Sequence, residues 1–590
     1  MSFAAVSLIK MISGRIIFGF DYAETKRKGH LEKRAEYTMK LNGSEIVVKV
    51  LLENEVDTIF GYPGGCVLNI YDELYKNQDK ITHYITAHEQ GASHAADGYA
   101  RATGKTGVVI ATSGPGATNL VTGIATAYMD SVPMVAITGN VGSSLIGRDS
   151  FQEVYIAGIT MPITKHNFVV RKIEDLADTL RQAFKIAISG RPGPVLVDIP
   201  KDITAAITEY EPKPKQTVEK KSFIDGDNLA EIADIINKAK KPVIFFGGGV
   251  KNSNAGEIIK KIIGKANIPA THTIMASGIL RYDMPENLGF LGMHGSVAAN
   301  KAVNDADVVI TIASRFSDRV ALAPDKFAKK ATLIHIDIDQ SEIDKNVKTD
   351  YHVIGDAETV LGQLETLIEE NNHDDWFSEI NSFRRDIPYS TGGDKLHPKE
   401  IMDILSETAG EDGLFVTDVG QHQMWAAQYL HHVKAENFLT SGGLGTMGYG
   451  YGAAIGAQIG TGRSHVFHIT GDGSFHMNMN EACTAVSYNV PVISICLNNE
   501  ALGMVRQWQT SFYGKRYSSS EPDRKTNYVK VAEGFGAKGY SCRTAEEFKA
   551  ALDDAMKSGG PAWIECIVDR EERVLPMIPG GGTVEDIIYE

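Results

Sequence analysis

Gly471-Asp472-Gly473 and Asn498-Asn499 stand twenty-four residues apart, and each follows an apolar run. A carboxylate and an amide oxygen are hard ligands. They suit Mg²⁺, which is held by one or two protein groups together with phosphate oxygens. Gly473 leaves backbone amides open to a diphosphate. A second acid, Glu89 in His88-Glu89-Gln90, also follows an apolar run and opens a helical stretch. A carboxyl buried at such a place has a raised pKa and shares a proton near neutrality. The plain alternatives are an acidic turn, an Asx turn and a helix N-terminal acid favoured by the macrodipole.

The elements needed to hold these groups are legible around them. Ser464–Thr470 is expected as a buried strand ending at Gly471, and Val490–Leu497 as the next strand ending at Asn498. Met477–Tyr488 between them has helical character. Acid and amide then sit at the carboxyl ends of parallel strands, where open α/β sheets bind ligands. Upstream, Ile81–Ala87 is expected as a strand, Gly91–Thr103 as a helix, and Thr106–Ala111 as a strand entering the turn Thr112–Asn119. Lys241–Phe246 leads to Gly247-Gly248-Gly249, Val308–Ile312 to Ala313–Arg319, Leu333–Ile338 to Asp339, and Leu414–Val416 to Asp418–His422.

Strands alternate with amphipathic helices throughout, which gives an α/β fold of three doubly wound parallel-sheet domains. Two polar stretches, Tyr210–Ser222 and Asn371–Pro398, divide the chain into blocks expected at 39–208, 223–370 and 395–574. The Pro/Gly-rich tail 575–590 is expected to be mobile, either a frayed end or a lid over a site. Residues 1–38 carry an apolar run broken by Lys10 and Arg15, followed by a segment with both acids and bases. That is a poor signal peptide and a poor transit peptide. Either Met39 is the start of the native chain, or 1–38 is a dispensable arm.

The 590 residues are 43% hydrophobic and 23% charged, as in soluble globular proteins. A net charge of −15 disfavours nucleic acid as a partner. No apolar run is long enough to span a bilayer. The five cysteines form no CxxC pair, and four lie in or beside apolar segments. They read as buried thiols of a reducing, cytoplasmic compartment.

The spacing of GDG and NN, with the string HEQGASHAADGYARATGKTGVVIATSGPGATN from His88 to Asn119, resembles the thiamin diphosphate enzymes. The resemblance implies Mg²⁺ on Asp472, Asn499 and the main chain of Ala501. It places Glu89 against the aminopyrimidine ring, where a shared proton stabilises the imino tautomer that deprotonates the thiazolium carbon. Further thiamin diphosphate contacts map onto Tyr62, Pro115 and Asn119 in the first block. In the third they map onto Gln421, His422, Gly445, Met447, Gly471, Gly473, Ser474, Gly503 and Met504. Met447 would wedge the two cofactor rings together. The alternative for His422 is a solvated loop histidine.

Gly443–Gly448 is a literal GxGxxG with Asp472 twenty-nine residues on. It is not taken as a dinucleotide site, because the strand before it, Asn437–Thr440, is short and the acid belongs to the metal motif.

The string Glu500–Trp508 resembles the acetohydroxyacid (acetolactate) synthases specifically, and LGMHG, SRFSDRV and HIDIDQSEIDKN resemble their FAD-binding middle domain. FAD contacts map onto Arg191, Gly247, Gly248, Gly249, Met293, His294 and Gly295. Others map onto Arg315, Asp318, Arg319, Asp337 and Asp356. In that family FAD is structural. Arg315 suits a bidentate anion, its alternative being an ion pair with Asp318. Phe151, Gln152, Lys201, Arg315 and Trp508 map to the substrate path; Trp508 alone reads as core aromatic or pocket wall. The chain departs from the family at Ala501, where glutamate is usual, and at Gly450-Tyr451-Gly452, where Leu-Pro is common.

The implied reaction is decarboxylation of pyruvate and carboligation to a second 2-oxo acid, pyruvate or 2-oxobutanoate, at the start of branched-chain amino-acid synthesis. The family's site forms between two chains, so a homodimer or dimer of dimers is expected, with a small regulatory subunit. The rivals are another thiamin-dependent 2-oxo acid decarboxylase or oxidase, and a non-catalytic FAD-binding homologue.

Overall fold

The structure is a computed structural model that describes residues 38–215, 217–218, 224–385 and 395–590. The arm up to residue 37 and parts of both linkers lie outside the described residues.

Three sheets carry the fold. The first has six parallel strands in the order Thr82–Ile85, Thr58–Tyr62, Gly107–Ala111, Met134–Asn140, Pro194–Pro200, His166–Val169. The third runs Phe438–Leu439, Leu414–Thr417, Val466–Gly471, Val492–Asn498, Ala562–Ile567, Lys538–Cys542, also all parallel. Ranked along the chain, both orders are 2-1-3-4-6-5. Their central strands are mostly apolar and buried throughout, as expected where helices cover both faces.

The middle sheet differs. Its parallel strands run Asn287–Phe290, Ala270–His272, Pro242–Phe246, Val308–Ile312, Thr332–Asp337, Tyr351–Ile354, which ranks 3-2-1-4-5-6. This is the dinucleotide-binding order, with a crevice where the winding reverses. Two antiparallel pairings qualify the all-parallel expectation. Asp225–Gly226 adds an edge to the middle sheet, and Met39–Asn42 pairs with Ile207–Tyr210.

The first and third blocks join through the helices Glu89–Thr103 and Gly450–Thr461. Small residues let their backbones meet: a Cβ on Gly98 would lie 2.0 Å from the Ala453 carbonyl oxygen, and one on Gly456 1.8 Å from that of Ala95. Arg101 is buried at this seam. It donates to Asp97 (2.6 Å), Asp130 (2.8 Å) and the Thr440 carbonyl (2.9 Å), while Asp130 accepts from Gly443 N (2.7 Å). Removing one partner of such a buried network costs about 3–5 kcal/mol.

The tail corrects an expectation: it is a packed strap. Val574 exchanges hydrogen bonds with the Gln507 side chain (2.9 and 3.0 Å), and Ile578 N donates to Met293 O (2.8 Å). Met577 and Ile578 are buried, so apolar burial outweighs the Pro/Gly composition.

Candidate active site

In the third sheet the winding reverses between Leu414–Thr417 and Val466–Gly471, and the expected ligands lie at the ends of these strands and of Val492–Asn498. The helix starts at Asp472 itself, not at Met477, and breaks into a 3₁₀ turn at Met479–Glu481. Asp472 is buried, and burial pushes its carboxyl up to about 7 against the pull of Arg524. Among the described residues no side chain donates to that carboxylate. Arg524 reaches only the main-chain carbonyl of Asp472 (Nη1 to O 3.3 Å), and a buried carboxylate with no side-chain donor suits a cation.

Asn499 is held for the same purpose. Its Nδ2 donates to Gln421 Oε1 (3.0 Å) and its Oδ1 accepts from Ala501 N (3.2 Å). Gln421 is pinned in turn through Nε2 to Gln507 Oε1 and Glu572 O, both at 3.0 Å. Only glycine fits at 503, where a Cβ would lie 1.9 Å from Gln421 Oε1. Glu500, between Asn499 and the buried Ala501, takes φ +54° in the left-handed region. No group of three or more His, Cys, Asp or Glu side chains forms a metal cluster among the described residues. One carboxylate with neutral oxygens fits Mg²⁺ that completes its shell from a phosphate.

His422 is buried rather than solvated. Burial pulls it down to about 4, and its Nε2 has no partner among the described residues. Its ring packs where Gly471 and Gly420 lack side chains: their Cβ atoms would fall 2.7 Å from Nδ1 and 2.8 Å from Cε1. An orphaned buried nitrogen beside this turn fits a phosphate oxygen.

The loop holding Gly445 and Met447 is tied down next to it. Gly448 N donates to Ser474 Oγ (2.9 Å) and Asn478 Nδ2 to Gly448 O (2.6 Å). Met447 Cε lies 3.8 Å from where a Gly473 Cβ would stand. Asp418, not singled out from sequence although it opens the DVGQH string, anchors the floor. It accepts from Thr470 Oγ1 (2.7 Å) and Gly450 N (2.6 Å) and contacts His468 (3.1 Å), and these partners hold its carboxyl down at about 2.

At the first sheet, Glu89 is the first residue of its helix and half-buried. Its Oε2 accepts from Asn119 Nδ2 (3.0 Å), and Oε1 lies 3.3 Å from the Cβ position of Gly116. Gln152, at φ +60°, packs on Gly114, whose Cβ would fall 2.8 Å from the Gln152 carbonyl. Phe151 is 88% exposed, and Tyr62, Pro115 and Lys201 also face solvent.

A cleft of about 2790 Å³ opens between the middle sheet and the other two. Gly247-Gly248-Gly249 forms one wall; a Gly247 Cβ would lie 2.2 Å from Ala313 O. Met293, His294, Asp337 and Asp356 also face it. His294 is buried, pulled down to about 4, with Nδ1 unpartnered. Gly295 only shapes this turn, its Cβ position 2.3 Å from Phe290 O. Asp337 accepts from Asp339 N (2.9 Å), and Asp356 caps the helix Ala357–Leu367 (3.1 Å to Glu358 N).

Arg315 does not pair with Asp318, which instead meets Arg319 at 3.1 Å in solvent. The Arg315 guanidinium has no partner among the described residues, and burial beside Arg191 lowers its pKa. Arg191 is already engaged by Glu342 (2.8 Å), Asp339 (3.3 Å) and Ser131 (2.8 Å). Trp508 is a wall residue of the same cleft, half-buried and edge-on to Phe512 at 5.6 Å.

Three family models of thiamine pyrophosphate enzymes match the chain: an N-terminal TPP binding domain over 41–159, a central domain over 229–364, and a C-terminal TPP binding domain over 418–566. The mitochondrial acetolactate synthase catalytic subunit of Saccharomyces cerevisiae is 42% identical, covering 93% of this chain and 84% of its own. Isozyme 2 large subunit of Escherichia coli is 42% identical over 93% and 99%. A probable large subunit from Methanocaldococcus jannaschii is 43% identical over 93% and 95%.

The chain belongs to the acetolactate synthase family of thiamin diphosphate enzymes.

In this synthase-family chain the expected residues fall into three groups. Asp472, Asn499, Gln421, His422 and Met447 gather at the third sheet. Glu89, Asn119 and Gln152 gather at the first. The middle-sheet glycines, Arg315 and Trp508 share the cleft. No hydrogen bond among the described residues joins Glu89 or Asn119 to Asp472 or Asn499. Three of the five cysteines are buried rather than four; Cys66 is half-buried and Cys483 exposed.

Proposed function

We propose that this chain is an acetolactate synthase catalytic subunit using thiamin diphosphate, Mg²⁺ and FAD. It joins decarboxylated pyruvate to pyruvate or 2-oxobutanoate, giving acetolactate or acetohydroxybutyrate. The observation that carries the reading is the buried Asp472, whose carboxylate has no side-chain donor among the described residues, beside the pinned Asn499 at a sheet's winding reversal, in a chain this similar to synthases. Asp472 Oδ, Asn499 Oδ1 and the Ala501 carbonyl would hold Mg²⁺, with His422 Nε2 toward the diphosphate. Thiamin diphosphate supplies the carbon nucleophile and electron sink.

Glu89 would face the cofactor's aminopyrimidine ring. Asn119 occupies Oε2, which leaves Oε1, beside Gly116, to share a proton with the cofactor ring. Trp508 and Met504 keep the cleft wall apolar and set room for the second 2-oxo acid. FAD is supported by the dinucleotide strand order, the side-chain-free Gly247 turn and the unpaired Arg315. It serves as a structural group there.

Glu89 and Asp472 belong to different sheets, and the exposed Phe151 and Tyr62 flank the Glu89 side. We read this as a site completed by a second copy, in a homodimer or dimer of dimers. The names of several relatives as large subunits support a small regulatory partner. No described helix is long and apolar enough to cross a membrane. Five free thiols suit a reducing cytoplasm, though the yeast relative is mitochondrial. The working boundaries are 39–208, 223–370 and 395–574.

Product analysis with pyruvate, Mg²⁺, thiamin diphosphate and FAD tests this. Acetolactate, read as acetoin after acid treatment, is expected, from a protein that purifies yellow with bound flavin. Acetaldehyde as the main product would contradict carboligation.

A further inference from the structure

The turn that presents Glu89 is not held by its own sheet. Strand Thr82–Ile85 ends, and of the next donors only Thr86 N bonds within the first sheet, to Gly61 O at 3.3 Å. The others are received by the third block. Ile85 N donates to Tyr488 Oη (3.0 Å), Ala87 N to Thr484 Oγ1 (3.1 Å) and Glu481 Oε2 (3.2 Å), and His88 N to Glu481 Oε1 (3.1 Å). Thr484 Oγ1 also donates to Glu481 Oε2 (2.7 Å), orienting the carboxylate.

Residues 481, 484 and 488 follow the i, i+3, i+7 spacing of a single helix face. Glu481 is wholly buried. It reaches the turn because residue 91 is glycine; a Cβ there would lie 2.0 Å from Glu481 Oε1. Tyr84 and Tyr488 pack edge-on at 4.9 Å beside the ladder.

We propose that Glu481 is a positioning residue for Glu89: its two carboxylate oxygens fix the N–H groups of Ala87 and His88, and so the backbone from which Glu89 projects. Asn119 then sets the side chain's orientation. Without Glu481, His88 N loses its acceptor, Ala87 N keeps only Thr484 Oγ1, and the turn relaxes, moving Glu89 away from the ring it faces. This rests on the Glu89 reading above.

The test uses the full-length, cofactor-loaded protein carrying Glu481→Ala, Glu481→Gln, Glu89→Gln and Glu481→Ala/Glu89→Gln. Glu481→Ala is expected to lower kcat about 10- to 100-fold with KM within about twofold. Amide exchange at Ala87 and His88 is expected to rise about tenfold, with core strands unchanged. Glu481→Gln keeps one acceptor oxygen and is expected to recover part of kcat. In the Glu89→Gln background, Glu481→Ala is expected to cost less than about twofold more, because the two act as one unit.

Wild-type kcat in either Glu481 variant overturns the proposal, as does an equal loss in the Glu89→Gln background. Should Glu481→Ala not fold, Glu481→Gln decides: a kcat loss that vanishes with Glu89→Gln supports it. Unchanged turnover in Glu89→Gln alone would remove the Glu89 reading, and this proposal with it. Failure at Glu481 alone leaves Glu89 standing.

Discussion

The first and third sheets share one strand order yet finish it in opposite ways. At its carboxyl end the third sheet buries Asp472, Asn499, Gln421 and His422: Asn499 is bonded to Gln421, while the Asp472 carboxylate has no side-chain donor and His422 Nε2 no partner among the described residues. At the same place the first sheet leaves Glu89 half-buried and Phe151 in solvent. On the proposed reading, the same scaffold forms a cation and phosphate seat at the third sheet and an open carboxylate at the first. What differs is the strand-end residues, not the fold.

The largest expected effect comes from emptying the closed half. Asp472→Ala should lower turnover by more than about a thousandfold and abolish measurable Mg²⁺-dependent cofactor binding, while thermal unfolding stays cooperative. Calorimetric cofactor binding checks it; retained affinity would take Asp472 out of the seat. Glu89→Gln should lower kcat about 10²- to 10⁴-fold while cofactor affinity stays within about threefold. Such a split between binding and turnover would sharpen the contrast between the halves. Gln421→Ala frees the Asn499 amide and should weaken Mg²⁺ about 10- to 100-fold, as for other groups that orient ligands.

Smaller still, Trp508→Leu should reduce the preference for 2-oxobutanoate over pyruvate by about tenfold, read from competing products. An unaltered ratio would remove Trp508 from the pocket.

A pH effect separates burial from chemistry. His83, His94, His272, His294, His422 and His432 are all pulled down to about 4 by burial. Unfolded, each would titrate near its ordinary 6.5. Their contribution to stability is complete above about pH 6.5 and is lost as pH falls from there toward about 4. The urea midpoint should drop over that window; a flat midpoint would mean these rings are not buried as neutral groups.

Much of this was legible in sequence because buried parallel strands read as unbroken apolar runs, so their ends, and Asp472 and Asn499, could be placed. The strand edges moved by at most two residues, and the helix began at Asp472 because Gly471 ends the strand directly. What stayed hidden depends on partners distant in the chain. Asp130 meets Gly443 and Glu481 meets His88 across hundreds of residues, and no local pattern encodes either pairing. The tail looked loose by composition, but Gln507 and Met293 hold it. Arg315 and Asp318 are close in sequence, yet the turn at Phe316, with φ +49°, separates them.

Mixing two inactive chains tests the central claim most directly. A Glu89→Gln chain and an Asp472→Ala chain, each inactive alone, are co-expressed and assayed for acetolactate. If each site takes Glu89 from one copy and Asp472 from the other, every mixed dimer regains one intact site. Activity should then return to about a quarter of wild type at equal mixing, as twofold symmetry requires. No recovery in purified mixed dimers would contradict the account, because each chain would then have to build its site alone.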